Sequence, residues 1–103
     1  YAPSSTGVQS DTIEIAYNDG AAPQTATRAV QGTGAAPATL TISDGVTYDY
    51  GTVANGSSTD KSFTVTNGGG VPATSVTGGG LAAPFSFKGG GYPGTGGTCG
   101  ATL

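Results

Sequence analysis

The sequence has no His, no Met and no Trp, and a single Cys among 103 residues. Without His, and with one thiol, it lacks the donor set of a zinc or haem site. A Ser or Cys nucleophile would have no imidazole to serve as its base. Only nine residues are charged, and three of them are basic, so there is no electrostatic footprint for nucleic acid or anionic lipid. No apolar run approaches the roughly 20 residues that span a bilayer as a helix. Helix formers are scarce as well, with one Glu, two Lys and three Leu. These absences exclude most enzyme classes, and the chain is read as a non-enzyme that needs no cofactor and no metal.

What is present is small and β-prone. Gly, Thr, Ala and Ser make up 60 of the 103 residues, and the formal net charge is −3. Leu, Ile, Val and Phe total only 16, a poverty that with high charge would mean disorder. Here the charge is low and the apolar residues fall in short alternating groups, which favours a thin β-sandwich. So small an apolar complement predicts help from a disulfide, a neighbouring domain or assembly.

Thr12 to Tyr17 places Ile13, Ile15 and Tyr17 on one face, with period two. Asn18-Asp19-Gly20 is a turn of residues that tolerate positive φ. Thr25 to Gln31 reads as the returning arm of a hairpin, with Arg28 on the same face as Ala26 and Val30. Gly32 to Pro37 breaks the pattern and is the best linker signal. Leu40 and Ile42 follow in a strand over 39–43, then the Asp44-Gly45 turn. Tyr48 and Tyr50 share a face, Gly51 kinks the chain, and Val53 resumes. Ser62 to Asn67 is the strongest strand, with Phe63 and Val65 on one side. Ala73 to Thr77 is a weaker strand, and Phe85-Ser86-Phe87 a short one. Gly89 to Gly97, with six Gly and one Pro, predicts a flexible, exposed loop. Short strands punctuated this often suggest an all-β, immunoglobulin-like antiparallel β-sandwich. Its expected core is Ile13, Ile15, Tyr17, Leu40, Ile42, Tyr50, Val53, Phe63, Val65, Phe85 and Phe87.

Several of these segments together carry a resemblance. Tyr48-Asp49-Tyr50-Gly51-Thr52-Val53, then Gly56-Ser57, then Phe63-Thr64-Val65-Thr66-Asn67-Gly68-Gly69 resembles the bacterial choice-of-anchor D repeat, related to the Hydin-type immunoglobulin-like domains. Phe85 to Phe87 and Cys99-Gly100-Ala101-Thr102-Leu103 resemble its later segments. Residues 1–34 resemble the family's end out of order: Tyr1 to Gly7, the strand Thr12 to Tyr17, and the closing Gly32-Thr33-Gly34. The resemblance implies that 1–34 are the C-terminal strands of one repeat and 35–103 the N-terminal strands of the next. A second Cys and a core strand, which the family places after Cys-Gly-x-Thr-Leu, are absent. That leaves a gap of about ten residues, or one strand and its turn.

The function this implies is a structural repeat of a secreted or cell-surface protein, a spacer or shaft in a tandem array or fibre. Its partners would be identical or similar repeats packed head to tail, with a strand exchanged between copies. The alternative is an adhesin-type module that binds a glycan or host ligand through Tyr92 or the Tyr48–Tyr50 pair. Cys99 reads either as half of a disulfide with a partner outside this sequence, the favoured reading in an extracellular setting, or as a buried free thiol. Asn55-Gly56-Ser57 fits the N-glycosylation triplet, although a plain turn Asn is the favoured reading. Asp19, Asp44, Asp49 and Asp60 are too scattered for a calcium loop and read as turn residues.

Overall fold

The computed structural model describes residues 1–103 and contains strands, turns and no helix. It is an all-β chain with two antiparallel sheets of two strands each. The chain divides into two compact units, Tyr1–Ala36 and Pro37–Leu103.

The first unit is a long hairpin. Strand β1 (Gly7–Asn18) pairs with β2 (Pro23–Gly34) from Gly7↔Gly34 to Asn18↔Pro23 with no bulge. The loop between them closes on Asp19. Its N–H donates to the Ala22 carbonyl at 3.2 Å, and its Oδ1 accepts the N–H groups of Ala21 and Ala22 at 2.8 Å each. Gln24 Nε2 donates to the other carboxylate oxygen at 3.0 Å, and Gly20 supplies the positive φ of 98° that the turn requires. The hairpin is longer than the alternation predicts. Gly32-Thr33-Gly34, expected as a linker, continues β2 and pairs with Gln9, Val8 and Gly7. Glycine is tolerated there because other chain lies against it: a Cβ at Gly32 would meet the Tyr1 ring, and one at Gly34 would meet the Ser5 carbonyl.

The second unit has little regular ladder. Strand β3 (Leu40–Ile42) pairs with β4 (Val65–Asn67), setting Leu40 opposite Asn67 and Ile42 opposite Val65. Hydrogen bonds from Ser43 N to Thr64 O and from Gly68 N to Thr39 O, both 2.9 Å, extend it by one step at each end. A second short pairing joins Thr74 to Thr102, with Ala73 and Leu103 exchanging both backbone bonds. The strands expected over 48–53 and 85–87 do not form, and that over 62–67 shortens to three residues. A strand is completed by pairing, and these segments have no neighbour in the chain to pair with. Gly89 to Gly97, expected to be flexible, is a run of turns tied by Thr95 N to Lys88 O and Gly94 N to Gly91 O, both 2.7 Å.

The expected core is the main correction. No apolar side chain is buried, and Gly34 is the only buried residue. Ile13, Ile15, Tyr17, Leu40, Ile42, Val53, Phe63 and Phe85 are exposed, while Tyr50, Val65 and Phe87 are half-buried. The reason is that each unit forms only one two-stranded sheet, and a sheet buries its apolar face only against a second layer.

Candidate functional site

The chemistry of this chain lies in its uncovered apolar surfaces. Antiparallel pairing puts directly opposed residues on the same face. One face of the hairpin therefore carries Asp11, Ile13, Ile15 and Tyr17 from β1 with Val30, Arg28, Ala26 and Gln24 from β2. The opposite face is mostly polar, with Ser10, Thr12, Glu14, Thr25 and Thr27, and also carries Val8, Ala16 and Ala29. At the base of the apolar face Tyr1 lies over Gly32, its hydroxyl donating to Gln9 Oε1 at 2.8 Å. Beyond that point the face is bare: Ile13 is 52%, Ile15 62% and Tyr17 53% exposed. Arg28, opposite Ile13, is the one basic side chain without an acidic partner, since Lys61 pairs with Asp44 and Lys88 with Asp60.

The second unit presents aromatic rings. Tyr48 stands edge-on to Tyr50 (centroids 5.0 Å apart) and to Phe63 (5.5 Å), and Tyr50 continues to Phe85 at 6.0 Å. These spacings suit mutually attractive rings. Lys61 Nζ sits 4.7 Å from the Tyr48 centroid and 2.9 Å from Asp44 Oδ1, so one ammonium serves both a ring and a carboxylate. The Ser43 hydroxyl and then Lys61 hold the Asp44 carboxyl below its ordinary value, and Asp44 raises Lys61 in return. The hydrogen bond to Asp60 raises Lys88 likewise. Phe85, 54% exposed, ends the aromatic row at the surface. Phe87 packs edge-on to Tyr92 at 5.7 Å.

Tyr92 is half-buried against Phe87 and Gly78, and its hydroxyl is raised first by burial and then by Cys99. Cys99 is a half-buried free thiol. Asn55 is exposed in the turn that Ser57 N closes on Ala54 O at 3.0 Å. The acidic residues stay apart. Asp19 caps the hairpin loop and is lowered by the Ala22 and Ala21 N–H groups and by Gln24; Asp49 accepts from Gly51 N at 2.7 Å; Asp44 and Asp60 are in ion pairs.

Asn67 has the sequence pattern of a turn residue, yet it organises the second unit. Its Oδ1 accepts from Thr39 N (3.2 Å) and Gly69 N (2.9 Å), and its Nδ2 donates to the carbonyls of Val71 (2.9 Å) and Leu103 (3.0 Å). The signal available in the sequence was an Asn at a strand end followed by three glycines.

No helix is long and apolar enough to cross a membrane. No protein-family model, curated protein or solved structure matches the chain.

Proposed function

We propose that this chain is a structural repeat of an extracellular surface protein or fibre, built on the immunoglobulin-like sandwich plan and completed by contact with like repeats. The observation that carries the reading is that each unit forms only one two-stranded sheet and buries no apolar side chain. Ile13, Ile15 and Tyr17 have the alternation of a buried strand face, and Tyr48, Tyr50, Phe63 and Phe85 form an aromatic row, but none of them is buried. A composition rich in Thr, Gly and Ala and poor in Lys and Glu suits a secreted spacer or shaft. The glycan-binding alternative has less support. Tyr92 is partly covered, and Tyr48 and Tyr50 stand at 87° to each other instead of offering a flat platform.

The test is light scattering on the purified chain across two decades of concentration, with electron microscopy of the concentrated sample. Oligomers or filaments that grow with concentration are expected. A monodisperse monomer at every concentration refutes the reading.

A further inference from the structure

We propose that Asn55 is a self-modification site: the backbone nitrogen of Gly56 attacks the Asn55 side-chain amide, ammonia leaves, and the turn converts to aspartate and isoaspartate without an enzyme. The chain has three Asn, and two of them, Asn55 and Asn67, are followed by Gly. The following residue matters because its nitrogen is the nucleophile, and a glycine nitrogen has no Cβ beside it to hinder the attack.

At Asn55 the structure leaves the reaction open. Asn55 and Gly56 are exposed, and they are the two central residues of the turn that Ser57 N closes on Ala54 O at 3.0 Å. The Gly56 N–H donates to no acceptor. A Cβ built on Gly56 would meet nothing within 4 Å, so the ring that must form has room.

The other two Asn are held. The Gly68 N–H, which would be the nucleophile at Asn67, donates to Thr39 O at 2.9 Å. The Asn67 amide is itself fixed by Thr39, Gly69, Val71 and Leu103, and cyclisation would have to break these bonds first. Asn18 is followed by Asp19, whose N–H is engaged with Ala22 O, and the Asn18 Oδ1 accepts from Gly20 N at 2.9 Å.

The step balances with water as the sole co-reactant. Hydroxide removes the Gly56 amide proton, and the nitrogen forms a bond to Asn55 Cγ. The Cγ–Nδ2 bond breaks, and its electron pair leaves with a proton from water as ammonia. Water then opens the five-membered succinimide. Attack at Cγ restores the ordinary backbone as aspartate, and attack at the main-chain carbonyl routes the backbone through Cβ as isoaspartate. One water enters, one ammonia leaves, and nothing is oxidised. The chain gains about 1 Da and one negative charge. Nδ2 is also the atom a glycan would occupy in the Asn55-Gly56-Ser57 triplet, so each modification excludes the other.

The test is to incubate the wild-type chain at mildly alkaline pH, folded and in urea, and to follow peptide masses. Cleavage after Arg28, Lys61 and Lys88 places each Asn on its own peptide. In the folded chain the 29–61 peptide should gain about 1 Da at least about tenfold faster than the 62–88 peptide, because only Asn67 must give up hydrogen bonds to react. Its rate should rise with hydroxide. In urea the two rates should draw together, since both sites are Asn-Gly. Isoelectric focusing should show an acidic band that grows in wild type and is missing in Asn55→Gln, whose longer side chain would need a six-membered ring. The proposal is overturned if Asn55 keeps its amide in the folded chain, or reacts no faster than Asn67. It is equally overturned if the two rates stay as far apart in urea, or if the acidic band grows as fast in Asn55→Gln.

Discussion

Gly34→Ala should release the N-terminal segment from the hairpin and leave the hairpin itself paired. Gly34 is the only buried residue, and what covers it is backbone: an added Cβ would lie 2.0 Å from the Ser5 carbonyl oxygen and 3.0 Å from Pro3 Cβ. Ordinary contact begins near 3.4 Å, so the carbonyl would have to retreat by about 1.4 Å. Gly34 has no positive φ and is paired to Gly7 in extended conformation, so alanine brings no backbone strain of its own. The cheapest response is for Tyr1–Thr6 to lift away. The segment would give up the cover on Tyr1, which is 76% exposed and so buries about 60 Å², worth about 1.5 kcal/mol. It would also lose the Gln9 Nε2–Ser5 Oγ and Tyr1 hydroxyl–Gln9 Oε1 hydrogen bonds, at about 0.5 kcal/mol each for exposed groups. The sum, about 2.5 kcal/mol, is the ceiling on the cost.

The assay is the nuclear Overhauser contact between the Tyr1 ring and the Gly32 α-protons, with amide exchange across β1–β2 in the same samples. The contact should vanish in Gly34→Ala while the amides of the β1–β2 ladder stay protected. In a chain lacking residues 1–5 the sign should reverse. There the Ser5 and Pro3 atoms that crowd the alanine are gone, and removing a strand glycine stabilises by about 0.5–1 kcal/mol. A Gly34→Ala chain that keeps the Tyr1–Gly32 contact at full strength, or that destabilises the truncated chain equally, refutes the steric argument.

Other perturbations address the second unit, the loop and assembly. Asn67→Asp keeps the acceptor for Thr39 and Gly69 but replaces both donated bonds with a carboxylate facing the Val71 and Leu103 carbonyls; it should lower the stability of Pro37–Leu103 by about 2–3 kcal/mol in denaturant titration, and an unchanged midpoint refutes it. Asp19 and Asp44 have carboxyls held below the ordinary 3.8, so their contribution is fully present above that value and is lost as pH falls through their lower folded values. Asp19→Asn should flatten the acid limb of exchange protection in the hairpin loop, and Asp44→Asn that around Ser43 and Thr64, each leaving the other unchanged. If folding is coupled to assembly, apparent stability should rise by about 1.4 kcal/mol for each tenfold increase in chain concentration, and a concentration-independent Tm speaks against coupling.

The local pattern was legible where a residue's role depends on its neighbours in sequence. Ile13, Ile15 and Tyr17 fall on one face because side chains alternate along any strand, and Asn18-Asp19-Gly20 begins a turn because those residues accept its dihedrals. Roles set across the sequence were not legible. Gly32 and Gly34 look like strand breakers until Tyr1 and Ser5 are seen lying on them. Asn67 looks like a turn residue because its partners at 39, 71 and 103 are scattered along the chain. Phe85 and Phe87 have the alternation of a strand, but alternation only makes a segment ready to pair, and no ladder forms beside them. The candidate surfaces follow the same division: which residues share an apolar face could be read from the sequence, and that they form no buried core could not.

A bare hairpin and a single aromatic layer are each below the size at which a β-structure holds itself together. If an unrelated partner covered each of them, the chain would need two interfaces of different chemistry. Under the proposed function, one contact between copies would meet both deficits, since the exposed aliphatic face and the aromatic row are carried on the same chain. Such a contact would join two different surfaces and would therefore be heterologous. A heterologous contact leaves one free surface at each end after every addition, and it closes only if the rotation per step happens to make a ring. Growth into a fibre is thus what the proposed function requires, and a chain that stops at a closed ring or stays a monomer in light scattering across two decades of concentration would refute it.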